Sequence, residues 1–86
     1  MSEEYMRSLK ILLNKRKDEI ENGLIELEEK LFKCDIEAVP LIAKISEGIL
    51  GISSFTGMEI RDTIRYMERL KKLTQKATEC ITLRHL

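Results

Sequence analysis

From Ile60 to Ile81 apolar side chains recur every three or four residues, and this periodicity constrains the chain more than any other feature. At 100° per residue, Ile60, Thr63, Ile64, Tyr66, Met67, Leu70, Leu73, Ala77 and Ile81 share one half of a cylinder. A strand would alternate its faces every second residue, so the pattern fits a helix and excludes a sheet. Arg61, Arg65, Arg69, Lys72 and Lys76 fall within about 80° of one another on the opposite side. The stretch therefore predicts a long helix with an apolar half and a basic ridge. Its start is marked by a capping box. The Thr56 hydroxyl is placed to accept from the backbone N–H of Glu59, the Glu59 carboxylate reaches back to Thr56, and Phe55 can staple onto Ile60. Such a cap contributes roughly 1 kcal/mol.

Upstream, residues 1–32 read as a first helix. Ser2 is its cap, and Glu3 and Glu4 suit the positive end of its dipole. Met6, Leu9, Leu13, Ile20, Leu24, Leu27 and Leu31 form one apolar stripe, interrupted at Lys15, Arg16 and Lys17. A helix of that length spans about 45 Å, more than a compact domain of 86 residues covers. The expectation is a bend or break near residues 14–18 or at Gly23. The alternative is a projecting helix that pairs with a second copy as a coiled coil, for which the heptad pattern is short and mixed. Cys34 to Glu37 reads as a turn, with Asp35 a candidate cap, and Pro40 fits the first turn of a middle helix. That helix presents Leu41, Ile42, Ile45 and Ile49 inward and is expected to end at Gly48 or Gly51.

Composition agrees. Lys, Glu, Leu and Ile dominate, with one Pro, four Gly and no Trp, a set suited to helices. The expected fold is all-α: one domain over residues 1–86, a small bundle of three to four helices with long first and last members, and fraying at residues 1–5. Formal charge sums to zero, yet residues 1–43 carry seven Lys/Arg against ten Asp/Glu, while residues 44–86 carry eight against five. A chain with an acidic and a basic half is suited to a protein partner or its own copy. Dedicated duplex binders show a basic excess, and no aromatic residues are interleaved with the ridge for base stacking. A nucleic-acid partner is not expected, nor is a membrane, since the longest apolar runs are only a few residues. Two cysteines, Cys34 and Cys80, and one histidine, His85, offer no zinc spacing. The chain is expected to be soluble and intracellular, with both thiols reduced and Cys80 packed in the core.

Catalytic signatures are few. There is no glycine-rich phosphate loop, no Cys-x-x-Cys, and no serine with a histidine partner. One carboxylate arrangement stands out: Glu59 and Asp62 form Glu-x-x-Asp, with Glu47 on the preceding helix. Over EIRDTIRYMERL this resembles the all-α nucleotide pyrophosphohydrolases related to MazG, which gather magnesium with Glu-x-x-Glu on one helix and Glu-x-x-Asp on the next. The resemblance implies Glu47, Glu59 and Asp62 as metal ligands. Lys44 stands where the first acid of the pattern would be.

A second resemblance covers roughly the last fifty residues. Leu41, Ile42 and Ile45, then Ile52, Phe55 and Thr56, then Ile60, Ile64 and Arg65, and finally Leu73, Ala77 and Ile81 follow an order of apolar positions. That order is similar to the N-terminal domain of transcription elongation factor TFIIS, which recurs in Mediator and Elongin A subunits and in the integrase-binding domain of LEDGF-type chromatin proteins. Met58-Glu59 or Gly57-Met58 replaces the family's Ile-Gly pair, and its Trp is missing. The resemblance implies a nuclear module that docks short acidic-hydrophobic motifs of disordered partners, with a helix boundary near residues 70–73. The leading expectation is a non-catalytic protein-interaction module without cofactor or metal. Its partner segment would enter a cleft between the second and third helices, steered by Arg61, Arg65, Arg69, Lys72 and Lys76. The alternatives are the magnesium-dependent pyrophosphohydrolase and a coiled-coil subunit that self-associates through the first helix. An exposed apolar patch would mark the last of these.

Overall fold

The computed structural model describes residues 2–53 and 60–85, which form three helices: α1 (Glu3–Phe32), α2 (Ala38–Ser53) and α3 (Ile60–His85). This is an all-α bundle whose first and last helices are longer than the middle one. The capping box of Phe55, Thr56 and Glu59 lies outside the described residues.

α1 is continuous over 30 residues. Ser2 caps it as expected, its Oγ accepting from the backbone N–H of Tyr5 at 3.2 Å. The helix neither bends back nor breaks at residues 14–18 or at Gly23, and the molecule is accordingly 56 Å long and only 17 by 14 Å across. The Lys15–Lys17 interruption is harmless to a helix because these residues have high helix propensity. Lys17 also finds an anion on α3, as described below.

The end of α1 is set by the turn chemistry at Cys34. Its φ of 51° places a non-glycine residue in the left-handed region, at a cost of about 1–2 kcal/mol. The backbone N–H of Asp35 donates to Lys30 O at 2.9 Å and that of Cys34 to Leu31 O at 3.1 Å. This pair satisfies the last carbonyls in the Schellman arrangement. Asp35 then turns the chain into α2, its Oδ1 accepting from the Glu37 N–H at 2.9 Å.

α2 passes through both Gly48 and Gly51 and continues to Ser53. The expectation of a helix end at either glycine is therefore corrected. The reason is burial: Ile49 and Ile52, beyond Gly48 and on either side of Gly51, are both in the core, so the apolar stripe continues past each breaker. Gly48 serves packing instead of termination. A Cβ there would meet Ile20 Cγ1 at 3.3 Å, and a Cβ at Gly23 would meet Ile45 Cγ1 at 3.0 Å. The two glycines let α1 and α2 approach closely, each receiving an isoleucine of the other.

These contacts also fix the topology. Along the α1–α2 seam Ile20 meets Gly48 and Gly23 meets Ile45, so the two helices run antiparallel. Between α1 and α3, Lys17 meets Asp62, Glu21 meets Tyr66 and Glu28 meets Arg69, so these two run the same way. The core between them is built from Leu13, Ile20, Leu24, Leu27 and Leu31 of α1, Ala38, Ile45, Ile49 and Ile52 of α2, and Tyr66, Leu70, Leu73 and Ala77 of α3. No described buried side-chain nitrogen or oxygen lacks a partner.

α3 is unbroken from Ile60 to His85. The boundary near residues 70–73 implied by the transcription-factor resemblance is absent, because Leu70, Leu73 and Ala77 all bury on one continuous face. Near its C-terminal end, Cys80 is joined to Cys34 by a disulfide, with Cα atoms 5.7 Å apart. The expectation of two reduced thiols is corrected: 46 residues apart in sequence, they are brought together because α3 runs alongside α1 to the level of the α1–α2 turn.

Candidate functional site

Only part of the apolar half of α3 is used by the core. Tyr66, Leu70, Leu73 and Ala77 are buried, whereas Ile60, Ile64 and Met67 remain between 50 and 59% exposed. On a helical wheel these three lie together at one border of the buried face, with spacings of four and three residues. They form a strip along the first two turns of α3. Leu50, at the end of α2 that leads into α3, is exposed as well.

The basic ridge is also divided by the fold. Arg69 donates from an η nitrogen to Glu28 Oε1 at 2.7 Å across the α1–α3 seam. Arg65 donates to Asp62 Oδ1 at 3.0 Å within α3. Arg61, Lys72 and Lys76 have no ion-pair partner among the described residues and are exposed. The ridge thus lies on the α1 flank of α3, and the apolar strip on the other flank. Part of the acidic–basic asymmetry visible in the sequence is consumed inside the molecule, where Glu28 of α1 meets Arg69 of α3. This changes which residues can test a docking role. Reversing Arg69 would disturb an interhelical contact, whereas Arg61 and Lys72 are available without that complication.

The seam holds two groups that sequence reasoning passed over. Lys17 Nζ is 2.7 Å from Asp62 Oδ2, with both side chains about a quarter exposed. Tyr66, its ring buried, donates its hydroxyl hydrogen to Glu21 Oε1 at 2.9 Å. Burial raises the Tyr66 pKa above its usual 10.0, as do the hydrogen bond to Glu21 and that carboxylate's charge, with Arg65 opposing and Asp62 adding a little. The signals were present as single residues, an interruption in one stripe and a polar tip in another. Pairing them needed the α1–α3 register.

That hydrogen bond gives a pH prediction with a definite sign. The folded chain holds the Tyr66 proton more tightly than the unfolded chain, so the native state binds more protons in the alkaline range. The resulting stability is fully present below pH 10 and is lost as pH rises through the higher folded value. Tyr66→Phe should cost about 1 kcal/mol at neutral pH and should flatten this contribution to the alkaline loss. Urea melts of both proteins between pH 8 and 11 check it; parallel slopes would contradict the assignment.

Two open grooves of about 690 Å³ each run along the sides of α1. One, against α2, is floored by Ile20, Gly23, Ile45 and Gly48 and rimmed by Lys44 and Glu47. The other, against α3, holds Leu31, Phe32, Leu73 and Leu83, with Lys76 at its edge. The two described carboxylates of the pyrophosphohydrolase pattern lie along different sides of α1. Glu47 lines the α1–α2 groove, Asp62 sits in the α1–α3 seam bound to Lys17 and Arg65, and Glu59 lies outside the described residues. Among the described residues no three His, Cys, Asp or Glu side chains are grouped to hold a metal ion. No helix among them is long and apolar enough to cross a membrane.

What these features define is a small three-helix bundle with a disulfide staple and a partly uncovered third helix. The chain matches no family model, no curated protein and no solved structure.

Proposed function

We propose that the chain is a non-catalytic protein-interaction module whose α3 surface binds an acidic-hydrophobic segment of a partner protein. The observation that carries this reading is the strip of Ile60, Ile64 and Met67, left exposed on a helix that also presents Arg61, Lys72 and Lys76, exposed cations with no ion-pair partner among the described residues. Apolar anchors from a partner would be desolvated on the strip, and carboxylates flanking them would meet the ridge. α3 is a good platform because its far end is tied to the α1–α2 turn by Cys34–Cys80, so little ordering is needed on binding.

The reading rests on this surface and not on the transcription-factor resemblance. A nuclear or cytosolic setting holds thiols reduced, and the Cys34–Cys80 bond favours an oxidising compartment. The pyrophosphohydrolase alternative would need Glu47 and Asp62 on one site, and they occupy different seams of α1.

The test uses a fluorescein-labelled peptide with leucines at alternating three- and four-residue steps separated by Asp and Glu, read by anisotropy. The wild-type chain should bind it, more weakly at higher salt. Ile64→Asp should abolish binding, and Arg61→Glu with Lys72→Glu should weaken it about tenfold with the thermal melt unchanged. Equal binding of a peptide with Lys in place of Asp and Glu, or equal binding by Ile64→Asp, would refute the proposal.

A further inference from the structure

Beyond Ala77, α3 continues for about two more turns that the core holds only loosely. Ala77 is the last buried residue among those described, and the apolar side chain after it that packs against the core, Ile81, is only partly buried. Leu83 is 80% exposed. These turns are also a weak helix former, since Thr78, Cys80, Ile81 and Thr82 all rank low in helix propensity. Thr74 and Thr78 turn their hydroxyls back onto the helix, donating from Oγ1 to Leu70 O at 2.8 Å and to Thr74 O at 3.0 Å, an arrangement that slightly destabilises it. What the turns do have is the covalent bond from Cys80 to Cys34.

We infer that the Cys34–Cys80 bond is a redox-sensitive latch, whose reduction releases the last two turns of α3 while the three-helix core stays folded. The other end of the bond has its own support. In the α1–α2 turn the backbone N–H groups of Cys34, Asp35 and Ala38 donate to the carbonyls of Leu31, Lys30 and Asp35 at 3.1, 2.9 and 3.0 Å. Asp35 Oδ2 also lies 3.9 Å from Lys30 Nζ. The turn therefore keeps its shape when the bond opens, and α3 is the side that moves. Both cysteines are half-buried, so a dithiol reductant reaches them. One thiolate of the dithiol attacks a sulfur of the bond, and the other cysteine leaves as a thiolate that takes up a proton. The second sulfur of the dithiol then resolves the mixed disulfide. The dithiol ends as a disulfide and Cys34 and Cys80 as thiols, with two electrons and two protons transferred. The released turns carry Cys80 and Leu83, part of the wall of the groove that holds Leu31, Phe32 and Leu73, so the latch sets how open that groove is. The strip of Ile60, Ile64 and Met67 is at the opposite end of α3, and the inference stands apart from the peptide reading.

Amide hydrogen exchange of the full chain, read by mass spectrometry with and without excess dithiothreitol, tests the latch. In the oxidised chain the amides of residues 78–85 should exchange slowly. In the reduced chain they should exchange about tenfold faster or more, at a rate insensitive to low urea, while amides around Leu24, Leu27 and Ile49 stay slow and urea-dependent. Thr78→Ala with Thr82→Ala, at two exposed positions, should recover about fivefold of that protection in the reduced chain, because alanine strengthens the helix that the bond no longer holds. Equal exchange of these amides in both states overturns the inference, as does a reduced chain that loses its helical circular dichroism as a whole. Faster exchange that follows urea in step with the core is global unfolding and overturns it as well. Failure of the alanine pair to restore protection overturns it too, since the bond would then be holding something other than a weak helix.

Discussion

Replacing Cys34 and Cys80 together by serine should lower stability by about 4 kcal/mol, the chain-entropy value for a bond closing a loop of this size. The two residues are 46 apart in sequence, and the unfolded chain without the bond gains the freedom of that whole loop. For a chain of 86 residues the total stability expected is roughly 4–13 kcal/mol, so the loss is a large fraction of it. The melting temperature should fall by roughly 20 °C. Wild-type protein melted in a phosphine reductant should match the serine variant. A third protein separates the bond from the backbone strain beside it. Because Cys34 sits at a φ of 51°, Cys34→Gly with Cys80→Ser should recover about 1 kcal/mol relative to the double serine variant. Unchanged melting in reductant would show that the staple contributes nothing. Without the bond the far end of α3 is freed from the α1–α2 turn, and the binding surface proposed on α3 would lose part of its preorganisation.

Leu24→Ala should cost about 3 kcal/mol. Leu24 is fully buried on α1, and truncation leaves a cavity that the surrounding helices close only in part. Its neighbour Ile25, also a large aliphatic residue, is 50% exposed. Ile25→Ala should change stability by no more than about 0.5 kcal/mol. Chemical denaturation of the two variants side by side measures the contrast. Similar losses at both positions would mean that α1 is rotated from the orientation described.

The stripe that assigns Leu24 inward and Ile25 outward was legible in the sequence, as was the all-α class, the Ser2 cap and the turn at Cys34–Glu37. Local chemistry decides those features, and local chemistry is written in neighbouring residues. The end of α2 was misjudged because glycine is a strong local stop signal, while the opposing requirement, room for Ile20, belongs to another helix. Ile60, Ile64 and Met67 show the same limit. Periodicity says that they are apolar and on one side. It does not say how much of that side two neighbouring helices can cover.

The amino-acid order by itself determined an all-α bundle of three to four helices, the apolar stripe of each long one and the ridge of cations along the last, because a helix repeats every 3.6 residues and its side chains are placed by that geometry alone. The tertiary structure decided the rest: which of those faces finds a partner, which cations are already paired, and that two distant cysteines meet. Those outcomes depend on the register and relative lengths of packed helices. Among the described residues α1 outruns the other two helices at one end and α3 reaches the turn at the other, so the strip of Ile60, Ile64 and Met67 stays exposed while Cys34 and Cys80 are brought within bonding distance.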